Sequence, residues 1–364
     1  MLSGRNYAYV NFDDERLLNL RSDDLNSVLG TILEIYDSPN YLLFDEIQNV
    51  DGWELFINRL YRIGYNVILT GSNSKMLSKE LASHLMGRLI SMELFPFSFH
   101  EFLKLKKFKY IFGNENSTVK SAQIKKLFDE YLLNRGFPEV YQLESWNQYL
   151  RELYDRTIYR DIVSRYEVRY VKDLKEISLL MLNYFGSKIT YQNISKLFDI
   201  KSAHTVKTYL GYLEETYLLQ LIKPFSYKHK EQLKQARKVY CIDTGMINAL
   251  STQFSENRGK LPENLICIEE LRHGAELYYY SKLNYELDFV IRKGGKFERF
   301  VQVSDDVSSI STLNREIRGF NYASKELDCK NLFLITQDNE ELIKSNGIEI
   351  KVLPAWKYLL LRGR

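Results

Sequence analysis

The run Tyr41-Leu42-Leu43-Phe44 is closed by two acids, Asp45 and Glu46. A short apolar run bounded in this way is the pattern of a buried parallel strand, and carboxylates at its end are delivered to the C-terminal edge of the sheet, where α/β proteins hold ligands. Carboxylates placed there can hold a divalent cation or orient a water. An Asp-Glu pair after a strand also serves as a helix N-cap, so the pair alone leaves both readings open. A second group is basic. Val206, Leu210, Leu213 and Tyr217 share one helical face, with Lys201, His204, Thr205, Lys207 and Thr208 on the other. Lys228, Lys230, Lys234 and Arg237 follow in a polar segment, and cations so arranged suit phosphates. His84, His100, His204, His229 and His273 lack ligand spacing, Cys241, Cys267 and Cys329 lack a CxxC pair, and no Ser-His-Asp or GxSxG arrangement occurs.

These residues need elements to position them. Tyr7 to Phe12 reads as a short strand, Leu17 to Leu33 as helical packing, and Trp53, Phe56, Ile57 and Leu60 as an apolar helix face. Asn66 to Thr70 reads as the next strand, ending in Gly71-Ser72-Asn73, so the order is strand, helix, strand, helix, strand. At 364 residues the chain predicts two or three cores. Its 45% hydrophobic content leaves no segment that reads as disordered. A net charge of +3 sets up no global field for nucleic acid, so any basic surface is local. The apolar runs fall short of a membrane span, the start meets charge within a few residues, and the dispersed cysteines suit a reducing compartment. The expectation is a cytoplasmic protein without a membrane partner.

The stretches LLFDEIQNVDGWE, ILTGSNSKMLS and LMGRLISMELFPFSFHEFL together resemble the core of archaeal and bacterial AAA-type P-loop ATPases. The resemblance implies ATP and Mg²⁺ as cofactors. Asp45 would hold Mg²⁺ through water, Glu46 would polarise the attacking water, and Ser72 and Asn73 would meet the γ-phosphate or the lytic water. Arg88 would bring positive charge to phosphate in cis or from a neighbouring subunit, hence a homo-oligomer among the expected partners. Such an enzyme also needs Gly-x-x-x-x-Gly-Lys followed by Ser or Thr, whose backbone N–H groups and lysine cradle the phosphates. Gly259-Lys260 is followed by Leu and Gly295-Lys296 by Phe, and Lys75 belongs to the sensor segment. In the family that loop precedes the strand that is here Tyr7 to Phe12. The expectation is an N-terminally truncated core with weak nucleotide affinity, whose last strand, Ser91 to Phe95, rearranges.

Further along, Gly136-Phe137-Pro138-Glu139 and Arg160-Asp161-Ile162 resemble fixed elements of the same family, and their residues read as a helix stop and a helix-surface ion pair. From Asp173 three helices and a hairpin, Leu218 to Phe225 with Lys238 to Ile242, read as a winged helix-turn-helix. Its third helix suits a DNA major groove and its loop suits phosphates. The same module also serves protein contacts. Glu263 opens a helix, and strands follow at Leu277 to Tyr280, Glu286 to Ile291, Phe300 to Ser304 and Asn331 to Thr336. This part resembles the restriction-endonuclease-like domain that closes the same family, with its Glu, Asp and Asp/Glu-x-Lys positions. Glu263 and Asp288 match, but Gln302 stands in place of the second carboxylate and Ser304 in place of the lysine, which predicts a degenerate site without cleavage.

The expected class is thus α/β: a partial AAA-type parallel sheet over 1–105, a helical connector over 106–170, a winged helix over 171–242 and a restriction-endonuclease-like α/β domain over 243–364. Two functions remain in play. One is an ATPase-family protein with impaired nucleotide binding. The other is a non-catalytic DNA-binding or protein-interaction module.

Overall fold

Short β-branched and aromatic runs make the strands Tyr7–Asn11 (β1), Tyr41–Asp45 (β2) and Asn66–Thr70 (β3), which pair in parallel in the order β1-β2-β3. Parallel neighbours require crossovers, and the helices Leu25–Ile35 (α1) and Trp53–Arg62 (α2) supply them. The computed structural model describes residues 6–17, 19–36, 38–71, 90–110, 118–134, 136–252, 258–304 and 309–363. Register puts Ala8 beside Leu42 and Val10 beside Phe44 on one face. Ala8, Leu42 and Phe44 share a core with Leu25, Leu29 and Ile32 of α1 and Trp53, Phe56, Ile57 and Leu60 of α2. The opposite face is more open: Tyr9 is 51% and Ile68 42% exposed. So β2 is not buried on both sides as its apolar run suggests, because among the described residues both helices cover one face.

The strand expected at Ser91 to Phe95 does not form. Residues 90–95 have no regular secondary structure, and Ile90, Met92 and Leu94 are exposed. Among the described residues this stretch finds no strand with which to share its backbone hydrogen bonds, without which an extended run is not a sheet member.

The chain divides into two compact units, residues 1–93 and 94–364. The second begins with Phe99–Leu105 (α3), whose Ser98 and Glu101 form a reciprocal capping box. Thr118–Asn134 (α4) and Trp146–Arg156 (α5) follow, and α5 runs on through a π-helical stretch, Thr157–Ser164. The Gly-Phe-Pro-Glu motif lies just past the end of α4. The Gly136 N–H donates to Asp243 Oδ2 at 2.5 Å, and a Cβ there would lie 2.6 Å from Pro96 Cβ, so the position takes only glycine.

Next come Val171–Asn183 (α6), Lys188–Ile189 (β4), Tyr191–Leu197 (α7), Ala203–Glu215 (α8) and Leu219–Pro224 (β5). They are followed by His229–Lys234 (α9), Arg237–Cys241 (β6) and Thr244–Leu250 (α10). Strands β4, β6 and β5 form an antiparallel ribbon. The link between β5 and β6, read as a plain basic loop, holds the short helix α9 instead. The rest is Leu261–Arg272 (α11), Glu276–Lys282 (β7), Tyr285–Lys293 (β8), Lys296–Val303 (β9) and Ile310–Leu327 (α12). Leu332–Thr336 (β10), Glu341–Ser345 (β11), Ile348–Pro354 (β12) and Ala355–Arg362 (α13) complete it.

The ribbon and the later strands make one sheet in the order β11-β12-β10-β9-β8-β7-β5-β6-β4. The seam is short: Lys223 and Pro224 pair in parallel with Tyr278 and Tyr279, and Phe225 N–H donates to Tyr279 O at 2.7 Å. Segments expected as a connector, a ribbon module and a C-terminal domain therefore share one large core. Among the described residues no helix is long and apolar enough to cross a membrane.

Candidate functional site

In the first unit, Asp45 ends the middle strand, opposite Thr70 on β3 and Asn11 on β1. Side chains two residues apart share a face, so Tyr9, Asp45 and Thr70 meet on the more open side of the sheet. Tyr9 Oη donates to Asp45 Oδ2 at 2.9 Å, and the Thr70 hydroxyl donates to Asp45 Oδ1. The bond to Asp45, together with partial desolvation and the carboxylate's charge, raises the Tyr9 pKa, so the phenol stays a proton donor. At Glu46 the chain leaves the strand with φ 54° and ψ 35°, a left-handed conformation in which a residue with a side chain is strained. Glu46 N–H donates to Thr70 O at 3.1 Å, and its carboxylate accepts from Gln48 Nε2. The two acids thus leave the sheet edge in different directions. This donor set, one half-buried carboxylate flanked by two hydroxyls, fits a Mg²⁺ held through water, which keeps most of its own hydration, rather than an all-protein cage. Ser72, Asn73 and Arg88 lie outside the described residues.

The second cluster lies where the ribbon meets the later strands. Glu263 on α11 and Asp288 on β8 converge on a third side chain, Lys238 on β6, which the sequence marks only as the first residue of the hairpin's second strand. Its Nζ lies 2.6 Å from Asp288 Oδ1, 3.1 Å from Glu263 Oε1 and 3.4 Å from Glu286 Oε1. Lys238 is only 4% exposed. Burial by itself would lower its pKa, but Asp288, Glu263 and Glu286 outweigh that and hold it well above the usual lysine range. Tyr240, also on β6, donates to Glu263 Oε1 at 2.6 Å. Burial first, and the Asp288 charge second, push the Glu263 carboxyl up to about 7 against the opposing pull of Lys238. Lys238 and Glu263 thus both move upward, as expected where one ammonium is shared among three acids and its pull on any single one is diluted. On the neighbouring strand, paired opposite Lys238, Lys188 binds Glu286 Oε2 at 2.8 Å.

Helix α11 is fastened to β6 by a second pair. Cys241 N–H donates to Asn264 Oδ1, and Asn264 Nδ2 donates to Cys241 O, both at 2.8 Å. Gln302 does stand beside Asp288, where its Oε1 accepts the Asp288 N–H at 2.9 Å and so aligns β8 with β9. Ser304 does not join the cluster. It lines a separate cavity of about 380 Å³ with Thr336 and Trp356, whereas Asp288 and Gln302 border one of about 260 Å³ with Arg315 and Glu316.

Of the expected phosphate-binding cations, Lys201, Lys207, Lys228, Lys230 and Lys234 are exposed. Arg237 is not: it is 6% exposed, and its Nη1 donates to Gln232 O at 3.3 Å. Arg237 begins β6, and every residue of that strand is buried, so it belongs to the interior and leaves the phosphate-facing set. Among the described residues no group of three or more His, Cys, Asp or Glu is arranged to hold a metal ion.

Residues 1–103 match the family described as an AAA domain, and residues 125–257 match a domain of unknown function. The chain is 38% identical to the uncharacterized protein MJ1544 of Methanocaldococcus jannaschii, over 97% of this chain and 82% of that protein. An uncharacterized protein of Haemophilus influenzae is 27% identical over 98% of this chain and 87% of its own length. A second M. jannaschii protein, the uncharacterized MJ1637, is 22% identical over 79% of this chain and 64% of its own length. With a parallel three-stranded sheet ending in an acidic pair at its N-terminus, the chain belongs to the family of MJ1544 and carries an AAA-like domain.

Proposed function

We propose that the first unit is the nucleotide-facing part of an AAA-type ATPase family member, with Asp45 in the Mg²⁺ position and Glu46 orienting water. The observation that carries this reading is the placement of Asp45 at the C-terminal edge of the middle parallel strand, its oxygens held by Tyr9 and Thr70. ATP and Mg²⁺ are the cofactors this geometry suits, and Ser72, Asn73 and Arg88 are assigned to the same site by resemblance. The 364 residues encode no phosphate-cradling loop, so we expect this chain alone to bind ATP weakly. Calorimetric titration with ATP and Mg²⁺ tests this. Micromolar affinity would overturn the weak-binding part, and residual Mg²⁺-dependent binding unchanged in Asp45→Asn would overturn the assignment of Asp45.

A second reading, a non-catalytic DNA-binding or protein-interaction module, is favoured by the second unit. Helix, strand, helix, helix, then two strands is the order of a winged helix; Lys207 is on the exposed side of α8 and Lys201 just precedes that helix, while Lys228, Lys230 and Lys234 flank or sit on α9. The sheet that follows supports a restriction-endonuclease-like reading with Glu263 and Asp288 as its remaining acids. DNA is the partner this surface suits, with Arg88 leaving a homo-oligomer as a further expectation. Fluorescence anisotropy with duplex DNA tests the reading, and no salt-sensitive binding at low ionic strength would overturn it.

A further inference from the structure

In a nuclease-like sheet the acids at the Glu263 and Asp288 positions share a divalent cation. The residues present do not fit one. Asp288 Oδ2 already accepts the Val303 N–H at 2.9 Å, and its Oδ1 faces Lys238 Nζ at 2.6 Å. Glu263 Oε1 takes both Tyr240 Oη and Lys238 Nζ. Gln302, where a further acid would complete the set, spends its amide oxygen on a backbone N–H. Oxygens at the centre of the cluster therefore face an ammonium that a ligand cannot displace without expelling a buried side chain.

We infer that the ammonium of Lys238 takes the place of the divalent cation in this carboxylate cluster, converting it into a metal-independent joint between the β4-β6-β5 ribbon and the later strands. Two cations cannot share the position: a Mg²⁺ or Mn²⁺ about 2.0–2.3 Å from the same oxygens would sit against the ammonium without screening water. Most of the carboxylate charge is also met without a metal, since the two ammonium groups of Lys238 and Lys188 face the three acids Glu263, Asp288 and Glu286. The lysine comes from β6, a strand of the ribbon, whereas Asp288 comes from β8. The joint therefore needs both parts and no ion. The inference uses the nuclease-like reading only for the expectation of a cation; the lysine's geometry stands without it.

The inference makes metal and lysine mutually exclusive, which Lys238→Met tests because methionine keeps the length and removes the charge. Titration with MnCl2, read by calorimetry and by the free-Mn²⁺ electron paramagnetic resonance signal, is made in an Asp45→Asn background, which removes the cation position proposed in the first unit, and should show no site while Lys238 is in place. Lys238→Met should gain one that binds at least about tenfold tighter than any signal of that background, with a rise of its melting temperature in Mn²⁺, and adding Asp288→Asn should remove it. If Lys238→Met does not fold alone, refolding it in MnCl2, or relieving one acid with Lys238→Met/Glu263→Gln, gives the same readout. Failure of every one of these variants to gain Mn²⁺ binding or Mn²⁺-dependent folding would overturn the inference. So would Mn²⁺ binding by Asp45→Asn with Lys238 in place that adding Asp288→Asn removes, or Mn²⁺-dependent plasmid cleavage that Lys238→Met abolishes; the latter would make the lysine catalytic and leave the nuclease-like reading standing.

Discussion

Asn264 and Cys241 pair as two strand residues would: the Asn264 side-chain amide exchanges both of its hydrogen bonds with the Cys241 backbone, at 2.8 Å each, although Asn264 lies on a helix. Both residues are fully buried. Asn264→Leu should leave a backbone N–H and C=O of β6 without partners, each costing roughly 1–3 kcal/mol. Urea denaturation should show a loss of that order, and hydrogen exchange should show the Cys241 amide opening first. An unchanged midpoint would mean that the edge of β6 finds other partners.

Gly136 is a second point where a small change should have a large effect. A Cβ would meet Pro96 Cβ at 2.6 Å and Phe97 O at 3.1 Å. Gly136→Ala should therefore destabilise the second unit by about 1–3 kcal/mol, as overpacking does. Asp243→Ala should cost a similar amount by removing both the Met246 cap and the Gly136 partner. The double variant should lose less than the sum of the two, which a thermodynamic cycle measures.

The buried carboxyl of Glu263 predicts a pH dependence. Its folded-state value is about 7, raised from 4.5, so between these values the folded chain holds a proton that the unfolded chain releases. The stability this provides is complete below pH 4.5 and is lost as pH rises through 7. Melting temperatures should fall across that window, and Glu263→Gln should flatten the profile there while leaving the change below pH 4.5, which belongs to other carboxyls, in place. An identical slope in the variant would show that Glu316, whose carboxyl burial also pushes up, carries the proton instead.

For DNA, the burial of Arg237 separates two effects that sequence alone would merge. Neutralising Lys228 and Lys230 should weaken binding across all duplex sequences and reduce the salt slope by roughly 2, one per lost phosphate contact. Arg237→Ala should instead lower the melting temperature and leave the salt slope of the folded fraction unchanged. A smaller salt slope in folded Arg237→Ala would return that residue to the interface.

Much of this was legible in the residues themselves. The apolar run before Asp45 announced both its strand and the strand's direction, since few other patterns deliver two acids to a sheet edge. Glu263 and Asp288 were singled out by the resemblance to a restriction-endonuclease-like domain, and both side chains meet Lys238. Lys238 was not, because its partners lie 25 and 50 residues away and nothing local distinguishes a buried lysine from the exposed ones preceding it. The clue in hindsight is the strand itself: Arg237 to Cys241 lacks the alternation of a half-exposed ribbon, and a fully buried strand must find partners for whatever charge it carries. The expected strand at Ser91 to Phe95 failed for the complementary reason. An apolar run becomes a strand only if another backbone lies beside it, and local sequence carries no information about that neighbour.

The seam at Lys223, Pro224, Tyr278 and Tyr279 bears on how this chain can have descended. A ribbon that shares its sheet with the strands after it, and lends them a lysine, cannot be exchanged for a ribbon from elsewhere by recombination near residue 242. A crossover there would leave buried acids facing a partner that did not evolve with them. The ribbon and the strands after it should therefore be inherited together, with substitutions at Lys238, Glu263, Asp288 and Glu286 arising in concert.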